Sequence, residues 1–172
     1  MPIAERYRMW FEYERDCNSK TLDMLDSVPP ANRSESRFKL AVGLADHVVA
    51  CREKWLDYMT GGTGGDVSWR NEECEFTTLR SRFIAMEKSW QEFLRNMDDQ
   101  RLEQEFRFFE EDGVQFLLPN EIQVAQLMGH ALYHRGQIAL LVEQLDGEVV
   151  DTDYADWWWY NMRPATEGKV ND

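Results

Sequence analysis

Three histidines occur in the chain, and two of them, His130 and His134, stand four residues apart in the segment GHALYHRGQ. Residues at i and i+4 are neighbours on one helix face, so the two rings can reach a single point. Neutral imidazole is a good ligand for zinc, nickel, iron or copper. The third, His47, lies in ADHVVAC, four residues before Cys51. Three histidine ligands leave coordination positions open to water or substrate, which is the catalytic rather than the structural arrangement. Such an ion lowers the pKa of a bound water or holds a thiolate. The competing reading is that the rings are core residues satisfied by their neighbours, because a buried imidazole without a partner is costly. An H-x-x-x-H pair alone is weak. A third histidine on a core stripe, with none elsewhere, favours a metal.

For three imidazoles to meet, long elements must carry them. Apolar residues recur at three- and four-residue spacing over about 3–27, through Trp10, Tyr13, Cys17, Thr21, Met24 and Val28. Two prolines in SVPPANRS end that helix. A second helix is predicted over about 34–59, with Ser34 as its cap and Leu40, Leu44, His47, Cys51, Trp55 and Tyr58 as its stripe. A third follows over about 72–98, from Phe76 through Trp90 to Met97. Between 101 and 118 the period drops to two, and the Asp-Gly pair in EEDG predicts a hairpin, with an irregular loop as the alternative. Asn120 and Gln123 read as a capping box for a helix running to about 145, whose stripe is Leu127, His130, His134, Ile138, Leu141 and Leu145. Gly147 is expected in the left-handed position that ends it.

The pattern predicts an all-α fold, a four-helix bundle with a short β-hairpin inserted before the last helix, forming one domain over 1–150. The remainder, 151–172, carries DTDYADWWWYNMRP and is too aromatic for a disordered linker. It is expected to pack on the bundle or at an interface.

The formal net charge of −13 repels phosphate backbones and anionic lipid, so neither nucleic acid nor a membrane surface is an expected partner. No apolar run is long enough to span a bilayer, and the first residues, MPIAERYRMWFEYERD, do not read as a signal peptide. Three cysteines, an odd number without such a leader, point to reduced thiols and a cytoplasmic location.

HALYHRGQIALLVEQLDG resembles the signature of the DinB/YfiT-like proteins, in which a histidine is followed after three residues by His-Arg-Gly-Gln near the start of the last bundle helix. LADHVVACREKWLDYM resembles that family's second helix, and the hairpin before the last helix is similar too. The likeness covers about residues 3–150 and is not drawn over WWWYNMRP. The resemblance implies a four-helix bundle, often a homodimer, with a divalent metal, usually nickel or zinc, on His47, His130 and His134. It also implies thiol-dependent transferase or isomerase chemistry, using a low-molecular-weight thiol on a small-molecule substrate. Two other functions stay open: a metal-dependent hydrolase, and a non-catalytic stress-related binding protein with a structural or vestigial metal.

The remaining notable residues have plainer readings. Cys51 is either a fourth ligand or redox-sensitive thiol, or a small core residue, as free cysteines usually are. Gln137 can orient a ligand or simply pack; Gly136 permits close helix approach. GGTGGD lacks the Gly-Lys-Ser/Thr ending of a phosphate loop and reads as a connection. Glu53 and Asp57 fall off the His47 stripe, which disfavours hydrolysis for want of a general base. Trp157, Trp158 and Trp159 can cover the pocket mouth, form an interface, or fold back onto the bundle.

Overall fold

Side chains at helical spacing give the chain four long helices, seen in a computed structural model that describes residues 1–64, 68–69, 74–109 and 113–163. They are α1 (Ile3–Ser27), α2 (Ser36–Met59), α3 (Phe76–Arg95) and α5 (Asn120–Glu143). A 3₁₀ turn (Pro30–Asn32), the short α4 (Asp99–Glu103), two strands and a final α6 (Tyr154–Asn161) complete the order. The fold is mostly helical, with one small antiparallel sheet between α4 and α5.

The long helices close on one another in a ring. α2 packs against α5 and α3, and α1 against α3 and α5. Phe11, Leu25, Val49, Leu79, Phe83, Trp90, Leu127, Ile138 and Val142 fill the space between them. Trp90 is fully buried and donates its indole N–H to the carbonyl of Arg52 at 2.9 Å, so its single polar atom is satisfied.

Strand β1 (Glu105–Phe109) pairs with β2 (Gln115–Pro119) in the register Phe106↔Leu118 and Phe108↔Phe116. Phe108 stacks on Phe116 with ring centroids 5.3 Å apart and meets Trp55 of α2 at 5.0 Å, which seats the hairpin on the helices. Gly113 takes a φ of 80°, a turn conformation open to glycine at little cost. The expected tip residues Glu110, Glu111 and Asp112 lie outside the described residues, as do 72–73 of the expected third helix.

Several local expectations are corrected. Ser34 does not cap α2; the capping position is Glu35, without a side-chain bond. Leu102 belongs to α4 rather than to a strand, and Asp98 caps that helix by accepting from the N–H of Arg101. Asn120 is the first residue of α5, not its cap. Its amide instead donates to the Arg101 carbonyl at 2.9 Å, tying α5 to α4, and Gln123 bonds Gln126. Asp146, with φ 58°, rather than Gly147, takes the left-handed position after α5. Gly147 is needed for close approach, since a Cβ there would meet Val142 at 2.6 Å and Val28 at 3.0 Å.

Trp10 and Leu40, assigned to core stripes, are 42% and 55% exposed. On the first half of α1 the buried residues are Phe11 and Glu14 instead, while Cys17, Thr21, Met24 and Val28 are buried as expected. The carboxylate of Glu14 is tolerated there because Arg52 of α2, also fully buried, donates to it. The tail folds back as α6: Trp157 is buried and meets Tyr13 of α1 with ring centroids 5.6 Å apart, and the Tyr13 hydroxyl donates to the Thr152 carbonyl at 2.6 Å.

Candidate metal centre

The packing of α2 on α5 brings the three histidines together. One ring nitrogen from each of His47, His130 and His134 falls within 4.8 Å of the others. Ring centroids are 5.0 Å apart for His47 and His130, 5.0 Å for His47 and His134, and 4.5 Å for His130 and His134. His134 is buried; the other two are half-buried.

Hydrogen bonds determine which nitrogens are available. The Nδ1–H of His47 donates to the Trp69 carbonyl at 2.5 Å, and a carbonyl can only accept, so the lone pair is on Nε2. His134 donates its Nδ1–H to Oε1 of Gln137 at 2.7 Å, which places its lone pair on Nε2 as well. Gln137 donates in turn to the Tyr133 hydroxyl at 3.3 Å. This is the outer support that metal-binding histidines generally have, with the far nitrogen held so that the near one is aimed.

The Nε2 atoms of His130 and His134 are 3.0 Å apart. Two nitrogens about 2.05 Å from one ion stand about 2.9 Å apart at a right angle and about 3.3 Å apart at the tetrahedral angle. The observed separation falls within that interval. Spacing and donor type therefore fit a divalent transition metal, and imidazole alone does not choose among zinc, nickel, iron and copper.

Burial, followed by the neighbouring His134, His47 and Arg52, lowers the pKa of His130 to about 4. Its ring is thus neutral well below pH 7, the state a ligand requires. Arg52 acts on His130 from the buried pair it forms with Glu14. Burial raises the Glu14 carboxyl pKa, and the Arg52 guanidinium opposes that shift. Arg52 also lies 4.9 Å from the centroid of the Trp90 ring.

Cys51 sits beside the site but packs as a core residue. Its sulfur is 3.6 Å from both ring nitrogens of His47, so it rests against the ring edge, and the residue is buried. Cys17, Cys51 and Cys74 form no disulfide. The two carboxylates considered as bases are engaged elsewhere: Glu53 pairs with Arg82 at 2.5 Å, and Asp57 accepts from the N–H of Gly64 at 2.8 Å. Part of GGTGGD is thereby tied to the end of α2; residues 65–67 lie outside the described residues.

Sequence reasoning picked out the three histidines that cluster, and left Gln137 open between orienting a ligand and packing; Gln137 accepts from His134. It missed Trp69, which acts through a backbone carbonyl and so leaves no side-chain signal. It also missed Tyr133 and the Glu14–Arg52 pair; the only available hint of that pair was a glutamate three residues after Phe11.

The fold and the cluster define a mostly helical protein with three converging histidines that could hold a divalent metal. A model of the DinB family matches residues 5–166, and the chain belongs to that family. No curated protein and no solved structure matches the chain. No helix among the described residues is long and apolar enough to cross a membrane.

Proposed function

We propose that this protein is a divalent-metal-dependent enzyme, a thiol-dependent transferase acting on a small electrophile, built on the four-helix bundle of its family. The observation that carries the reading is the convergence of three imidazole nitrogens from α2 and α5, two of them aimed by hydrogen bonds at their far side. A divalent ion at His47, His130 and His134 would favour the thiolate form of a bound thiol near pH 7.

The chain's own part is positional. His47 and His134 are held in one tautomer, and His130 is kept neutral, so the site needs little rearrangement to be ready. In the transfer itself the thiolate sulfur forms a bond to the electrophilic carbon. The leaving group departs with its electron pair, and the thiol proton goes to solvent. Hydrolysis is the weaker reading, because Glu53 and Asp57 are occupied by Arg82 and Gly64.

The test is a rate measurement with low-molecular-weight thiols and a chlorinated aromatic electrophile, comparing protein loaded with zinc or nickel against chelated protein. A metal-dependent rate, lost in His130→Ala, is expected. Equal rates with and without metal would reject the reading.

A further inference from the structure

A second site lies on the opposite face of α5 from the histidines. A cavity of about 370 Å³ opens between α1, α5 and α6, a size suited to a small organic ligand. Trp10, Tyr13 and Tyr154 form an aromatic wall, Tyr154 meeting Trp10 at 5.9 Å and Tyr13 at 5.0 Å between ring centroids. Met128 and Leu132 complete the apolar lining. Trp10 and Leu132 are exposed, at 42% and 57%, and stand at the mouth. Glu14 and Arg135 also line the cavity but are only 4% and 6% exposed, so they lie at its depth.

The charges at that depth do not balance. Glu14 accepts from Arg52 through one oxygen, and its other oxygen has no hydrogen-bond partner. Arg135 makes no ion pair among the described residues. Its guanidinium donates to the Tyr13 hydroxyl at 3.0 Å and lies over that ring, while its Nε–H has no acceptor. Glu14 is thus bonded to Arg52 alone, and Arg135, whose charge also acts on Glu14, has no bonded carboxylate of its own among the described residues. A buried charge without a counter-ion is costly, and an apolar side chain from another protein would cover Arg135 without pairing it.

We propose that this cavity binds a small organic acid, with a flat or aliphatic apolar body against Trp10, Tyr13 and Tyr154 and its carboxylate paired with Arg135. The site does not depend on the metal or on the transferase reading. Its binding can be measured on protein without any activity.

The experiment is calorimetric titration of the full chain with 2-naphthoate and with its uncharged methyl ester. Two variants accompany the wild type. Arg135→Gln removes the charge. Gly129→Leu fills the cavity from α5, where an added Cβ meets nothing within 4 Å and leucine favours the helix over glycine. The acid is expected to bind at least tenfold more tightly than the ester. Arg135→Gln should erase that preference, and Gly129→Leu should abolish binding of both while metal content stays unchanged. Equal affinity for acid and ester in the wild type would overturn the proposal. So would acid binding that survives Gly129→Leu. A wild-type dimer that binds neither compound and becomes monomeric in Gly129→Leu would overturn it too, by assigning the cavity to a second copy of the chain.

Discussion

The Nε2 atoms of His130 and His134 stand 3.0 Å apart, one helical turn from each other on α5. In the metal-free protein one of them must donate a hydrogen to the other. Since His134 already spends its single N–H on Gln137, the donor is His130. For His130 to serve as a ligand through Nε2, that hydrogen would have to pass to its Nδ1 by way of solvent, giving the other neutral tautomer; the bond meanwhile holds the two nitrogens at ligand spacing.

The first prediction concerns stoichiometry. Protein purified without chelators should carry about one divalent ion per chain, and His130→Ala and His134→Ala should each lose it. Elemental analysis of the three proteins decides this. An ion retained in both variants would place it elsewhere.

Gln137 should matter without touching the ion. Gln137→Leu frees the His134 ring and should weaken metal affinity by about 10–100-fold, while Gln137→Glu, which can still accept from Nδ1, should retain most of it. Competition against a chromophoric chelator gives the affinities. No change in Gln137→Leu would show the bond to be incidental.

His130 supplies a pH dependence. Its pKa in the folded, metal-free protein is lowered to about 4, against an ordinary histidine value of about 6.5. The unfolded chain therefore takes up this proton first as pH falls. The stability contributed by the neutral ring is complete above about pH 6.5 and is lost progressively towards pH 4. Denaturant titrations of the apo-protein between pH 7 and 4 should show that loss, with a shallower slope in His130→Asn. A ring titrating near 6.5 by NMR would contradict the burial seen here.

The buried Glu14–Arg52 pair should be asymmetric to mutation. Arg52→Met removes the hydrogen-bonded partner of Glu14 but leaves Arg135, whose charge also acts on that carboxyl, so its cost should stay below the about 3–5 kcal/mol of a fully orphaned buried charge. Glu14→Leu leaves two buried guanidiniums without a carboxylate and should be the costlier change. Urea unfolding of the two variants measures both quantities. A Glu14→Leu protein more stable than Arg52→Met would mean that contacts of Arg52 with Trp90 and Phe11 outweigh the charge.

Trp157 anchors the tail helix. Trp157→Ala should release α6 from α1, raising hydrogen exchange over 154–161 and leaving metal content unchanged. Protection that persists in the variant would mean the Tyr13–Thr152 bond and Tyr154 suffice to hold α6.

Much of this was legible in the residue order, for a definite reason. A helix face repeats every three to four residues, so apolar spacing alone locates α1, α2, α3 and α5 and puts His47, His130 and His134 on inward stripes. The hairpin is announced by a drop in period and an Asp-Gly pair. The carriers of the candidate site and its family signature are local in sequence, and local signals survive without a fold.

Packing decided the rest. Whether Trp10 or Glu14 faces the core depends on Arg52 arriving from another helix, which no spacing on α1 can reveal. The Trp69 carbonyl aims His47 from 22 residues away through a backbone atom that every residue type possesses. Asn120 looks like a cap until the Arg101 carbonyl takes its amide. Arg135 is buried, without an ion pair among the described residues, because residues of several other helices surround it, including Tyr13 and Asn18 of α1, Val48 of α2 and Phe83 of α3. Each of these is a relation between distant segments, and its energy depends on burial, which is a property of the assembled chain.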